Sequence, residues 1–338
     1  MSRYSLWLRS YNEKRNIILE KLRKYKEKVS EIKKMLSTEK FILPVFEYKG
    51  DINSLKMCFV DGGQGIDELL GCVTYYIRAS GLFLHQKKKF FLRASDFGIL
   101  EYEDNTNDRI ELLRSIMEIE IAEKCIQEYS PGYVFLDGSL HVNFSKREIP
   151  CEEYKIFRKK FFRLLKNAYE NGVHLCGISE DSRSRLLVNN LESRYGIKFP
   201  SFMTDSSMLK FFTGSERFVT KEFTPEPKFN FENSNGIKPV NFPTVYLQPN
   251  AFSNPLRIDV PSWEKNLPEI ISIIVKLSKG SKWYGYPYPL YLAHLDAKIE
   301  NKQAEWNTLQ IAHYVLRNDP EIYDAILKEK RRKLRPRG

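Results

Sequence analysis

The sequence predicts an α/β protein: one mixed sheet with helices packed on it, a long helix before it and a helical region after it. Two observations carry that prediction. Short apolar runs of strand character alternate with longer amphipathic stretches, the pattern of a sheet covered by helices. In addition, two of the apolar runs, Cys58-Phe59-Val60-Asp61-Gly62-Gly63 and Val134-Phe135-Leu136-Asp137-Gly138-Ser139-Leu140, each close on an aspartate followed by glycine. That ending sets a carboxylate at the end of a buried strand, beside a residue that lets backbone or ligand come close. Asp-Gly is also an ordinary way to turn a chain at a strand end. Two such carboxylates at neighbouring strand ends repel unless a cation lies between them, so the pair suggests a divalent-metal site.

The elements follow in order. Residues 11–38 read as one helix in which Ile18, Leu22, Tyr25, Val29, Ile32 and Leu36 make an a/d seam. The seam must be covered, by the body of the chain or by a partner. Leu55–Val60, Cys72–Arg78 and Lys89–Ala94 read as strands. Residues 106–128 form a helix with Ile110, Leu113, Met117 and Ile121 on one face. Tyr133–Leu136 is a short buried strand, 152–170 a helix and Val173–Ile178 a strand, giving the order β-β-β-α-β-α-β. From Thr224 to Asn254 the chain is rich in Pro, Asn and Phe and reads as a long irregular segment with strand character at Thr244–Leu247. Leu256–Val260 is a strand and 264–279 a helix. The run Tyr284-Gly285-Tyr286-Pro287-Tyr288-Pro289 turns into a last helical region that contains His294.

Composition narrows the function. At 338 residues with 42% hydrophobic character, the chain can bury one large core or two modest ones. It has no run long and apolar enough to span a bilayer and no signal-peptide pattern, so an intracellular, cytoplasmic protein is expected. The five cysteines are scattered without a Cys-x-x-Cys pair, which suits buried thiols better than zinc or disulfides. Gly62-Gly63-Gln64-Gly65 lacks the Gly-Lys-Ser/Thr of a nucleotide-binding loop, so ATP hydrolysis is not expected. Charge is concentrated at the ends. Residues 1–40 carry net +7 and 328–337 net +6 of a total of +11, leaving the body near −2. Basic ends on a nearly neutral body fit a polyanion partner, and equally a pair of solvated tails. Lys87-Lys88-Lys89 between two strands is open to the same two readings. The domain boundaries expected are 1–45 for the basic heptad helix, 46–327 for the catalytic body and 328–338 for a basic tail.

Set on this layout, the acids form a pattern. Asp61 stands on the first strand, Glu118 and Glu120 on the helix after the three strands, and Asp137 on the fourth strand. This is the ribonuclease H-like arrangement, in which carboxylates converge on two divalent ions that drive in-line phosphodiester cleavage. Hard oxygen ligands suit Mn²⁺ or Mg²⁺.

At these residues the chain resembles the NurA nucleases, archaeal enzymes that work with the HerA hexameric translocase. The resemblance runs through Phe59-Val60-Asp61-Gly62-Gly63, Ser115-Ile116-Met117-Glu118-Ile119-Glu120 and Leu136-Asp137-Gly138-Ser139-Leu140. It continues through Gly177–Ser184, Thr204-Asp205-Ser206-Ser207-Met208-Leu209, Arg257-Ile258-Asp259-Val260-Pro261, and Tyr286-Pro287-Tyr288-Pro289-Leu290 with Ala293-His294. It implies metal ligands at Asp61, Asp137 and a helix acid, Glu118 in preference to Glu120, with His294 completing the site. A histidine in an apolar run is otherwise a structural hydrogen-bonder. Glu180 stands where the family pattern leads one to expect a lysine; Arg183 or Arg185 could supply that charge. Asp205 either serves the metal or caps a helix starting at Ser206. The resemblance further implies cleavage of single-stranded DNA, 5′-to-3′ degradation, two ions per site, a homodimer and a HerA-type ATPase partner. The alternatives are a non-catalytic DNA-binding adaptor of the same fold, or a ribonuclease H-like nuclease acting on RNA or junctions.

Overall fold

The computed structural model describes residues 3–36, 41–69, 71–86, 88–141, 151–180, 183–225, 240–280 and 285–327. The basic tail expected at 328–338, Lys87 and much of the Pro/Asn/Phe-rich segment lie outside these residues. The chain opens with α1 (Arg3–Leu36) and a two-residue strand, β1 (Ile42–Leu43). A meander follows: β2 (Met57–Glu68), β3 (Cys72–His85) and β4 (Lys88–Glu101). Next come α2 (Thr106–Tyr129), β5 (Tyr133–Asp137), α3 (Glu152–Glu170) and β6 (His174–Ser179). Helices α4 (Leu186–Tyr195) and α5 (Asp205–Thr213) lead to β7 (Phe218–Thr220), β8 (Thr244–Gln248) and β9 (Leu256–Asp259). Helices α6 (Leu267–Ser278), α7 (Tyr288–Ala297) and α8 (Asn301–Asn318) follow, and the described residues end in a short helical turn, Pro320–Ile322, and a π-helical turn, Tyr323–Leu327.

The nine strands among the described residues join one mixed sheet in the order β1-β7-β8-β9-β6-β5-β2-β3-β4. Its centre is the ribonuclease H-like block: β2, β3 and β4 pair antiparallel, while β2, β5 and β6 run parallel. The period of two along β2 and β5 decides which side each residue faces. Cys58, Val60, Val134 and Leu136 pack with α2 and α3, whereas Met57, Phe59, Tyr133 and Phe135 pack with α6 and α7. Asp61 and Asp137 are the next odd positions, so both belong to the α7 side. Their strands are in register, Val60 opposite Leu136, which makes the two aspartates neighbours across the parallel pair.

The first strand does not stop at Asp61 as its Asp-Gly ending suggests. It runs to Glu68, because β3 supplies ladder partners throughout, from Met57 opposite Leu84 to Glu68 opposite Val73. The glycines serve packing instead of turning. A Cβ on Gly63 would stand 2.2 Å from the Ala297 carbonyl oxygen, and one on Gly65 2.8 Å from the Ala304 Cβ, so bare backbone lets α7 and α8 lie close on β2. Strands β3 and β4 likewise exceed the expected spans, and α1 starts at Arg3 rather than near residue 11.

Helix α1 divides its seam. Val29 and Ile32 are buried among Leu187, Leu191, Met208 and Phe212 of α4 and α5, and the Tyr25 ring lies 4.0 Å from that of Phe202. Tyr4, Leu8, Tyr11, Ile18 and Leu22, earlier on the helix, are exposed. All five cysteines are free thiols. No described helix is long and apolar enough to cross a membrane.

Candidate metal centre

Parallel pairing puts Asp61 and Asp137 side by side, and α7 brings a third group to them. Leu290, Ala293 and Ala297 are buried, which fixes the rotation of α7 and turns His294 toward the strand ends. Its Nδ1 stands 2.8 Å from Asp61 Oδ2. Asp61, Asp137 and His294 each offer a ligand atom, and these atoms lie within 4.8 Å of one another. The Asp61 side chain is 3% exposed and the His294 side chain 50%, so the cluster has a closed floor and an open mouth. The backbone N–H of Gly62 donates to Asp61 Oδ1 at 2.6 Å, and the Tyr286 hydroxyl donates to Asp137 Oδ1 at 2.7 Å. Gly138 at φ +106° turns the chain directly after Asp137, a conformation that favours glycine.

Glu118 reaches the site from the other side of the sheet. Gly62 faces α2, and a Cβ there would lie 2.2 Å from Glu118 Oε1, so the missing side chain is the space this carboxylate occupies. Arg114, one helical turn earlier, sets its Nε 3.6 Å from Glu118 Oε1 and donates from Nη1 to the Gly62 carbonyl at 3.3 Å. Glu118 stands next to the three-residue cluster rather than within it.

The electrostatics are those of crowded acids. Burial, with the nearby Asp61 and Asp137 opposed by Arg114, pushes Glu118 up to about 8. Burial, then the Asp61 charge, pushes Asp137 up to about 7 despite the Tyr286 hydrogen bond. The hydrogen bond to Asp61 raises His294. Carboxyl groups held protonated near neutrality by burial and mutual repulsion are the donors a divalent cation stabilises, and two carboxylates with an imidazole form a ligand set suited to Mn²⁺ or Mg²⁺.

Other residues singled out in the sequence lie elsewhere. Glu120, two positions beyond Glu118, points toward α3 and pairs with Lys160. Asp205 is fully buried at the first turn of α5, where it accepts from Tyr246 Oη at 2.5 Å, Ser184 Oγ at 2.6 Å and the Val188 backbone N–H at 2.8 Å. It ties α4 and α5 to β8 and does not join the cluster; the helix cap is Thr204. Arg185 is engaged by the carbonyls of Pro200, Ser201 and Met203, while Arg183 is exposed on the approach to α4. Glu180 is exposed past the end of β6 and adds to the charges acting on Tyr286. Arg114, Tyr286 and Gly62 serve the site without a site role having been expected for them from the sequence. Arg114 stands four residues before Glu118, the spacing of a helical ion pair, and Tyr286 stood inside a run already marked as a turn.

The NurA domain model matches residues 55–299, most of the chain. The chain belongs to the NurA family. Its relatives include the DNA double-strand break repair nuclease NurA of Sulfurisphaera tokodaii, 22% identical over 73% of this chain and 77% of that one. The probable DNA double-strand break repair nuclease NurA of Methanocaldococcus jannaschii is 24% identical over 93% of this chain and 91% of that protein. The fold matches the crystal structure of the NurA nuclease from Sulfolobus solfataricus, with a TM-score of 0.65 at 19% identity over 94% of this chain and 98% of that one. A NurA crystal structure bound to dAMP and manganese has a TM-score of 0.55 at 15% identity over 88% of this chain and 95% of that one. The NurA domain spans β2 to α7 and so includes Asp61, Glu118, Asp137 and His294, whereas α1 and α8 lie outside it.

Proposed function

We propose that this protein is a metal-dependent DNA nuclease that cuts single strands internally and degrades strands 5′ to 3′ in the resection of DNA ends at double-strand breaks. The convergence of Asp61, Asp137 and His294 within 4.8 Å, with Glu118 beside them, carries this reading. Catalysis and metal binding are assigned to these four residues, two ions per site, Mn²⁺ or Mg²⁺. Bound there, the ions would supply Lewis-acid activation of water and stabilisation of the departing oxygen.

The chain's own groups do the positioning. Asp61 is fixed by the Gly62 N–H and Asp137 by the Tyr286 hydroxyl, so both carboxylates are aimed before any ligand arrives. With Asp61 as acceptor, the His294 Nδ1 carries the proton and the Nε2 lone pair is left for the open side when the ring is neutral. Arg114 holds Glu118 over Gly62 and offsets part of the negative charge. The names of the curated relatives support DNA as substrate and repair as setting. A cytoplasmic protein acting on chromosomal DNA fits these assignments.

A homodimer and a HerA-type hexameric ATPase are the proposed partners. Support comes from the uncovered half of the α1 seam, where Tyr4, Leu8, Tyr11, Ile18 and Leu22 recur at heptad spacing on an exposed face. In domain terms, 1–45 then serves association, 46–327 catalysis and 328–338 salt-sensitive DNA affinity. The decisive assay uses pure protein and end-labelled single- and double-stranded DNA and RNA of one sequence, with Mn²⁺, Mg²⁺ or EDTA. Cleavage of single-stranded DNA that stops in EDTA is expected. Cleavage of RNA alone, or of nothing under any metal, would reject the assignment.

A further inference from the structure

The face of α7 that presents His294 presents more than the metal centre uses. With Leu290, Ala293 and Ala297 turned inward, the outward stripe reads Tyr288, Tyr291, His294 with Leu295, and Lys298. Tyr291 lies one turn before His294, about 4.5 Å along the axis, and Tyr288 about 9 Å. Tyr291 is 46% exposed and Tyr288 51%. Tyr286, two residues earlier, is buried and gives its hydroxyl to Asp137. Among the described residues, neither the Tyr288 nor the Tyr291 side chain has a hydrogen bond or a ring partner. Two rings are thus held on a rigid helix at the mouth of the site with their faces free.

We propose that Tyr291, extended by Tyr288, is a stacking platform for the bases of an unpaired DNA strand whose backbone lies across Asp61, Asp137 and His294. This rests on the nuclease reading and adds to it the residues that select the strand. Ligands of a divalent ion engage phosphate and carry no preference between paired and unpaired DNA. An aromatic face engages any base without regard to sequence, but only one that is not already stacked and paired inside a duplex. Tyrosine offers a large flat ring with little rotamer entropy to lose, and the helix supplies the order in advance. Lys298, exposed at the other end of the stripe, adds charge along the backbone path.

The test compares two single strands of equal length in Mn²⁺, one of natural bases and one abasic throughout its centre, cut by wild type, Tyr291→Ala, Tyr288→Ala/Tyr291→Ala and Tyr291→Phe. Wild type should favour the natural strand through KM. Tyr291→Ala should raise KM for that strand about 10-fold, the double variant further, with the loss confined to KM and the abasic strand unaffected, while Tyr291→Phe should behave as wild type. A 2-aminopurine placed beside the cleaved bond should be quenched by wild type and Tyr291→Phe and stay bright with the alanine variants. An equal loss on both strands, or alanine variants that keep both the wild-type KM and the quenching, would overturn the platform and leave the nuclease assignment standing. Absence of cleavage by wild type would instead reject the nuclease assignment.

Discussion

Loading the centre with Mn²⁺ at mildly acidic pH should expel protons, in a number the structure sets. Asp137 sits at about 7 and Glu118 at about 8. At pH 6.5, roughly three quarters of Asp137 and nearly all of Glu118 hold a proton, so a cation requiring both carboxylates ionised displaces roughly 1.7 protons. At pH 9 the number falls to roughly 0.1, and the apparent affinity rises about 100-fold across that interval. His294, raised by Asp61, adds to the release at the acid end. Calorimetric titration of Mn²⁺ into metal-free protein, repeated in buffers of different ionisation enthalpy, reads the proton count as a slope. Asp137→Asn should lower it by about 0.8 at pH 6.5. The same shifts have a stability consequence. Between the ordinary carboxyl range and pH 7–8 the metal-free native state holds protons that the unfolded chain has lost. Its stability therefore falls as pH rises through that window, and Mn²⁺ restores it. A proton count near zero at pH 6.5 would mean that Asp137 and Glu118 are not a crowded, protonated pair in the metal-free protein.

Three further outcomes are expected. Gly62→Ala places a methyl 2.2 Å from Glu118 Oε1 and 2.9 Å from Arg114 Cγ, and should cost about 10²-fold in kcat/KM by displacing that carboxylate; rates within twofold of wild type would contradict the placement. Tyr286→Phe removes the donor that lowers Asp137, so the acid limb of the pH–rate profile should move to higher pH by up to about one unit, a shift in the opposite direction counting against it. Asp205→Asn should lower stability by about 1–3 kcal/mol in thermal or urea unfolding and leave calorimetric Mn²⁺ affinity unchanged; a loss of metal binding would return Asp205 to the site.

Much of the sheet could be read from the chain, because β5, β6 and the first half of β2 are continuous apolar runs and α2 and α3 have clear helical periods. The extent of β2 could not. Gly62-Gly63-Gln64-Gly65 reads as a loop, and only pairing with β3 and packing under α7 and α8 make it a strand. Strands β1 and β7, of two and three residues, lack the length for any pattern, and their places, β1 at the sheet edge and β7 beside it, are a matter of tertiary pairing. Asp61 and Asp137 were visible as strand acids, but their register as neighbours belongs to the parallel pairing. Glu118 and Glu120 are equivalent in sequence and separate only when α3 supplies Lys160 to one and Gly62 leaves room for the other. Asp205 ends an apolar run just as the site aspartates do, and its hydrogen bonds come from segments 17 to 41 residues away in sequence.

In the proposed function, Asp61 and Asp137 form a metal centre that cleaves DNA. Single-turnover cleavage of end-labelled single-stranded DNA in saturating Mn²⁺ should fall at least about 10²-fold in Asp61→Asn and in Asp137→Asn, with both variants folded by circular dichroism, since each substitution removes one carboxylate of the proposed metal site. Cleavage at near wild-type rate in both folded variants would contradict it.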